Sequence, residues 1–364
     1  MFKEIKIENF RAFKSFKFEN LKKLNLVIGE NNCGKTNLLE SLYLCINPYN
    51  SLLPQRINNF RGFIIGKPDF WKSLFYRFNT DRDIVLSCEM IPFLKRTLRI
   101  KPIEKIEGGF APESNNGEKE NIKSSSSLIP SIIGLELETF LESENKKFKS
   151  SITLKKEFRQ GINPALRGQH IEPYNIEIPE DYSNPINGYL LNPETIYFNL
   201  SEKFGEIVKE KEKDRIIKLM QKFEPSLENM ELIDNIIHFD FGYSPLIPIH
   251  ALGDGTRKIL GLALYMMTMK GVILLIDEIE NGLHYKTLRI MWDFIFKSLK
   301  QYDIQLIAST HSLDCIRAFV NSAPAEFDDL NVFRIERKKN DNYKVITYNK
   351  ENVNIYLDNE WEIR

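Results

Sequence analysis

The sequence predicts an α/β fold: a mixed central sheet with helices on its faces and an antiparallel β subdomain beside it. Three observations predict it. Gly29-Glu30-Asn31-Asn32-Cys33-Gly34-Lys35-Thr36 spells G-x-x-x-x-G-K-T between an apolar alternating run and the start of a helix. Residues 272–276 are a continuous apolar run that ends in Asp277-Glu278, the pattern of a buried parallel strand. Residues 304–309 form another run of this kind, ending at Thr310-His311-Ser312. In an open α/β sheet, ligands sit where strands present their carboxyl ends.

Taken in order, the first 30 residues read as short strands, with Ile5 and Ile7, Phe16 and Phe18, then Leu24, Leu26 and Ile28 alternating. A helix is expected over 34–46, stopped near Pro48. Residues 49–80 are aromatic and irregular, with a helix expected over 69–78. From 84 to 178 the chain turns strand-like, broken at 108–127 by a Gly/Ser/Asn/Lys/Glu-rich stretch expected to be a mobile loop. Residues 201–223 read as a charged, solvated helical segment. Strands over 236–241 and 246–249 follow, then a helix over 256–269, the strand at 272–276, a helix over 285–299, the strand at 304–309, and a hairpin pairing 332–336 with 343–347. The expected organisation is one unit. Residues 1–48 and 225–364 form the core, 49–200 an inserted β-rich lobe, and 201–224 the charged helical segment.

Composition bounds the function. The chain has 364 residues, 42% hydrophobic, with Lys+Arg and Asp+Glu both at 50. That balance lacks the basic footprint of a dedicated nucleic-acid-binding domain. The four cysteines show no C-x-x-C spacing, so neither a zinc site nor a disulfide framework is expected. No run approaches the roughly 18 apolar residues of a membrane span, and no secretory leader opens the chain, so a cytoplasmic protein is expected.

The glycine loop carries specific chemistry. Backbone N–H groups of Gly29, Asn31, Asn32, Cys33 and Gly34, with Asn37 in the first helical turn, would cradle phosphates. Cys33 reads as a small filler. Lys35 would reach the outer phosphates and the Thr36 hydroxyl would help hold Mg²⁺. Asp277 is the second candidate for the metal. Glu278 lies on the other face of the extended chain, where it would take a proton from water. His311 would donate to the terminal phosphate or position the water. The glycine turn of Gly253, Asp254, Gly255 and Thr256 precedes an apolar helix and forms a second candidate anion site.

With these pieces in order, the chain resembles ABC-type P-loop ATPases of the SMC/RecF/OLD-like group. Asn9-Phe10-Arg11-Ala12-Phe13 is similar to the group's N-terminal strand. Gly29 to Thr36 matches Walker A, Leu252 to Thr256 the signature position, Asp277-Glu278 Walker B, Glu280 to His284 the D-loop, and His311 the switch histidine. The resemblance spans residues 1–90 and 190–364. It implies ATP and Mg²⁺ as ligands, with Arg11 approaching the nucleotide. It also implies a head-to-tail homodimer in which Gly253 to Thr256 act on the partner's ATP. Two departures stand out. Gly253 replaces the usual signature serine, and no glutamine in 47–80 other than Gln55 offers a Q-loop.

No heptad pattern supports a long coiled coil, and the residues after His311 leave no room for a fused nuclease domain. The expected function is therefore an ATP-hydrolysing switch that controls a separate effector, such as a Toprim-type nuclease, in phage defence or DNA metabolism. The alternative is a RecF-like repair ATPase gripping DNA through the basic stretches 95–101 and 334–339. A transporter subunit is disfavoured by the long spacing between the two Walker motifs. The choice between ATP and GTP is not legible in the sequence.

Overall fold

A computed structural model describes residues 1–48, 50–91, 94–105, 131–142, 146–154, 173–174 and 186–353. The segment expected to be a mobile loop, 108–127, lies outside these residues. Strands and helices are numbered along the chain.

The centre is a six-stranded sheet. It contains β3 (Leu24–Ile28), β9 (Gly188–Leu191), β13 (Ile273–Ile276), β14 (Gln305–Thr310), β15 (Leu330–Arg337) and β16 (Tyr343–Tyr348), in the order β16-β15-β3-β14-β13-β9. The first five in chain order run parallel, and β16 folds back antiparallel on β15 as the expected hairpin. Every residue of β3, β13 and β14 is buried, as expected of strands covered on both faces.

Side chains that alternate along these strands feed two separate cores. Leu24, Leu26, Leu274, Ile276, Leu306 and Ala308 face one core. There they meet α4 (Leu200–Lys209), α5 (Lys213–Met220), α6 (Asp254–Thr268), α7 (Tyr285–Tyr302) and α8 (Leu313–Ser322). Val27, Ile273, Leu275 and Ile307 face the other core, with α1 (Lys35–Ile46) and α2 (Leu53–Phe60). That second core is closed by a seven-stranded antiparallel sheet in the order β2-β1-β4-β5-β6-β7-β8. Its strands are β1 (Phe2–Phe10), β2 (Phe13–Phe18), β4 (Ile84–Met90), β5 (Leu94–Lys105), β6 (Ser131–Leu141), β7 (Lys146–Leu154) and β8 (Pro173–Tyr174). A small sheet of β10 (Asn229–Ile233), β11 (Ile236–Asp240) and β12 (Ile247–Pro248) precedes α6.

The structure redraws four expected boundaries. β1 and β2, inside the stretch 1–48 read as core, belong to the antiparallel sheet. β9, inside the stretch 49–200 read as insertion, is the edge strand of the core sheet beside β13. The helix expected over 69–78 is α3 (Asp69–Lys72) followed by a separate 3₁₀ turn at Tyr76–Phe78, because Phe75 between them is extended, with φ −87° and ψ 144°. The charged segment 201–223 is two helices, broken where Lys211 adopts φ 61°.

Two buried polar side chains join the layers. The Gln305 side chain on β14 accepts from the Phe2 N–H at 2.7 Å and donates to the Phe2 and Lys22 carbonyls at 2.9 Å each, tying β1 to the core sheet. Arg96 on β5 is 1% exposed, and its Nη1 donates to the Cys45 and Ile46 carbonyls at 2.7 and 3.1 Å. A cation at a helix C-terminus satisfies carbonyls that have no helical partner. Arg96→Met should therefore lower the urea midpoint by an amount equivalent to about 1–3 kcal/mol, the cost of orphaning buried acceptors. An unchanged midpoint would contradict this role.

Candidate active site

Parallel register brings the chemistry together. Ile28 of β3 pairs with Thr310 of β14, and Ile276 of β13 pairs with Ala308. The three strands thus end at one edge, where Gly29, Asp277 and His311 leave the sheet. The loop after β3 needs glycine at two places. A Cβ on Gly29 would lie 2.6 Å from the Ile335 carbonyl oxygen, and Gly34 holds φ 98° with a Cβ position 2.8 Å from the Phe13 ring. No side chain caps α1, so its first N–H groups have no capping partner.

Within the loop, Lys35 Nζ donates to the Gly29 and Glu30 carbonyls at 2.7 and 2.9 Å. The Thr36 hydroxyl donates to Asp277 Oδ2 at 2.7 Å. Ser309 donates its hydroxyl to Asp277 Oδ1 and accepts from the Glu278 N–H at 2.9 Å. Glu278 takes a left-handed φ of 49°. Its carbonyl accepts from Lys258 Nζ at 2.8 Å, and the same amine donates to the Asn281 carbonyl at 2.7 Å. Burial draws the Lys258 ammonium down to about 8, opposed chiefly by Glu280. Glu280 Oε1 accepts from the His311 N–H at 3.0 Å and lies 3.2 Å from His311 Nδ1, so it fixes a half-exposed imidazole at the strand end.

Lys35, Thr36, Asp277, Glu278 and His311 line a cavity of about 760 Å³. Its wall adds Arg11, Arg61, Arg77 and Arg337 to the loop, Asp277, Glu278 and His311. Arg11 and Arg61 share Glu40 of α1, at 3.1 and 2.7 Å, and Arg61 also donates to Asn37 Oδ1 at 2.6 Å. Burial lowers Arg11 to about 10 despite Glu40. Its Nη2 is buried without a hydrogen-bond partner, and Arg11 lines the cavity. A wall of guanidiniums with one unsatisfied donor suits a polyanion, and adjacent hydroxyl and carboxylate oxygens suit a hard cation such as Mg²⁺.

Residues 24–314 match the family described as "AAA domain, putative AbiEii toxin, Type IV TA system". The chain belongs to this family. It is 25% identical over 390 residues to the ATP/GTP phosphatase of Helicobacter pylori, spanning 99% of each chain. A stretch of 43 residues, 12% of each chain, is 46% identical to the DNA replication and repair protein RecF of Clostridium kluyveri. The fold is similar to that of an SMC head solved bound to the C-winged helix domain of ScpA. That likeness has a TM-score of 0.50 and 12% identity, and covers 96% of this chain and 97% of the other. With its motifs and its fold, the chain is an ABC-type P-loop ATPase of the SMC/RecF-like kind.

The ATPase's glycine turn lies apart from this cavity. Gly253 and Asp254 are exposed, none of Gly253, Asp254, Gly255 and Thr256 lines the cavity, and the Thr256 hydroxyl donates to Glu224 at 2.5 Å. A Cβ on Gly253 would meet nothing within 4 Å, so no steric constraint excludes a serine there. By contrast Asn31, Asn32, Cys33, Gly34, Lys35, Thr36, Asn37 and Arg11 all reach the cavity wall. Gln55 does not. The edge strand beside β13 is β9, and its exit at Asn192 borders a second cavity of about 220 Å³ with Thr36 and Asp277.

Sequence reading missed several residues of the site. Arg61 and Arg77 come from the irregular stretch 49–80, where no periodicity marks a side chain's direction. Ser309 had a signal, being a hydroxyl at the end of an apolar strand. The basic stretch at 95–101 is compensated: Lys95, Arg99 and Lys101 approach Glu89, Asp83 and Glu138 at 3.8, 3.8 and 3.1 Å, and Arg96 is buried. In the stretch 334–339, Arg334 and Lys338 pair with Glu336, and Arg337 with Asp341. Lys35→Ala should weaken ATP binding about 10- to 100-fold in calorimetry, the scale of one charge-assisted contact. Unchanged affinity would overturn the loop's assignment.

Proposed function

We propose that this ATPase is a nucleotide-driven switch that closes head-to-tail with a second copy around ATP and so controls a separate effector. The observation that carries the reading is the 2.7 Å contact between Thr36 and Asp277, in the wall of the same cavity as Lys35 and Glu278. Lys35 would exchange the Gly29 and Glu30 carbonyls for phosphate oxygens. Thr36 and Asp277 would hold Mg²⁺, whose charge offsets that of the phosphates. Arg11 and Arg61 would neutralise the remaining anionic oxygens. Glu278 would take the proton of a water as its oxygen attacks the γ-phosphorus, and the bond to the β-phosphate oxygen would break to give ADP and phosphate. His311, held by Glu280, would hydrogen-bond the departing phosphoryl group. The Helicobacter pylori relative is named for both ATP and GTP, so GTP is the natural comparison substrate.

The exposed turn at 253–256 supports the dimer. Its α6 N–H groups have no use at the chain's own cavity, and they would serve the γ-phosphate of a partner's nucleotide. With Gly253 in place of serine and Thr256 engaged by Glu224, the contact would be made by backbone N–H groups. The effector would be a separate cytoplasmic protein, with a Toprim-type nuclease as the first class to test. The family's description as part of a toxin–antitoxin system favours a defence role over housekeeping DNA metabolism. Direct DNA binding is the weaker reading, because the basic stretches are ion-paired. A membrane subunit has no support either: among the described residues no helix is long and apolar enough to cross a membrane.

Glu278→Gln should retain ATP binding, lose about 10²–10⁴-fold in turnover, and elute as a dimer in size-exclusion chromatography with ATP. A monomeric, fully active variant would overturn the role of Glu278 and the dimer together.

A further inference from the structure

Glu278 carries the chemistry in a conformation that its own backbone disfavours. A φ of 49° is uncommon for a residue with a Cβ, and such residues persist where their surroundings hold them. Here both peptide groups of Glu278 are held by side chains from other elements. Ser309 at the end of β14 accepts its N–H at 2.9 Å. Lys258 of α6 donates to its carbonyl at 2.8 Å, alongside the Asn281 N–H at 2.9 Å. The turn from 278 to 281 is therefore pinned between two elements, and rotating either peptide would break one of these bonds.

Lys258 has a second property. It sits about one turn after Gly253 on α6, the helix whose N-terminus is the exposed glycine turn. Its amine is buried, and an apolar residue would suit the surrounding stripe of Ile259, Leu260 and Leu262 better. The lysine here reaches across to the two carbonyls of the turn after β13, beside the charge of Glu280.

We propose that Lys258 is a positioning residue that couples the glycine-turn helix to the catalytic base, holding Glu278 so that its carboxylate faces the cavity and passing a shift of α6 to it. A partner's nucleotide engaging residues 253–256 in one copy would then set the base of that same copy. Empty partner sites would leave the base poorly aligned. Hydrolysis would in this way depend on both nucleotides being in place. This rests on the reading of Glu278 as base and of 253–256 as the partner contact.

The test is a double-mutant cycle with Lys258→Met and Glu278→Gln, read by steady-state ATP hydrolysis and by binding of a fluorescent ATP analogue. K258M should lower kcat by up to about 10²-fold, the scale of a misaligned catalytic group, while KM and analogue affinity stay near wild type. In the E278Q background K258M should cause no further loss, because the residue it positions is already disabled. Unchanged kcat in K258M, or the same fold-loss in both backgrounds, would overturn the coupling and leave the base assignment intact. Full activity in E278Q would instead overturn the base assignment itself. Analogue binding at wild-type affinity reports a folded protein. If K258M does not fold, Lys258→Gln, which keeps a polar stem and loses the charge, runs the same cycle with the same readings.

Discussion

The register of three parallel strands is the constraint on which the site depends. β3, β14 and β13 pair so that Ile28 meets Thr310 and Ile276 meets Ala308. Because strands advance about 3.3 Å per residue, a slip of one residue would carry Asp277 out of hydrogen-bond reach of Thr36. It would also turn each strand's apolar side chains towards the opposite core. The two cores resist that slip. One takes Leu274 and Ile276 with the helices α4 to α8, and the other takes Ile273 and Leu275 with α1 and the antiparallel sheet. Packing on both faces therefore fixes where the carboxylates stand, and the antiparallel sheet contributes to the site without supplying Asp277 or Glu278.

Polar side chains extend that order beyond the strands. Ser309 joins Asp277 to the backbone of Glu278, Glu280 fixes His311, and Lys258 ties the turn after β13 to α6. Each is buried or half-buried, where a satisfied hydrogen bond specifies one arrangement and an unsatisfied one is expensive. The turn from Asp277 to Asn281 is thus a junction of three elements: the strand that carries the acids, the strand that carries the histidine, and the helix that begins at the glycine turn. Two of the three, β14 through Ser309 and α6 through Lys258, bond the Glu278 backbone directly.

What the sequence made legible follows from this hierarchy. The glycine loop, Asp277-Glu278 and His311 could be read because each sits at the end of a strand whose apolar run is unmistakable, and strand ends converge. The hairpin of β15 and β16 was equally plain. β9 was hidden because four residues, Gly-Tyr-Leu-Leu, are too short to separate from an insertion by pattern, and only pairing with β13 places them in the core. β1 and β2 alternate cleanly, yet alternation says nothing about which sheet a strand joins. Arg61, Arg77 and Lys258 were illegible for a different reason. Their roles depend on distances between residues far apart in the chain, and Lys258 is hidden inside what reads as an ordinary amphipathic helix.

The cavity wall also explains how so many cations can stand together. Its guanidiniums come in pairs, each pair sharing one carboxylate. Arg11 and Arg61 divide Glu40, and Arg77 and Arg337 divide Asp341. Those two arginines and Tyr76 hold Asp341 well below the usual carboxylate range. A shared carboxylate relieves repulsion inside each pair and leaves one net positive charge facing the cavity. The donors are thereby preorganised before the ligand arrives, and little reorganisation is needed when charge develops on a phosphoryl group. Glu40 lies on α1, directly behind the glycine loop, so the first pair is oriented by the same helix that presents Thr36. Asp341 lies in the β15–β16 connection, so the second pair is oriented by a different element. The two arginine pairs are therefore held by independent elements. That arrangement suits the proposed nucleoside triphosphate, whose several anionic groups can engage more than one pair.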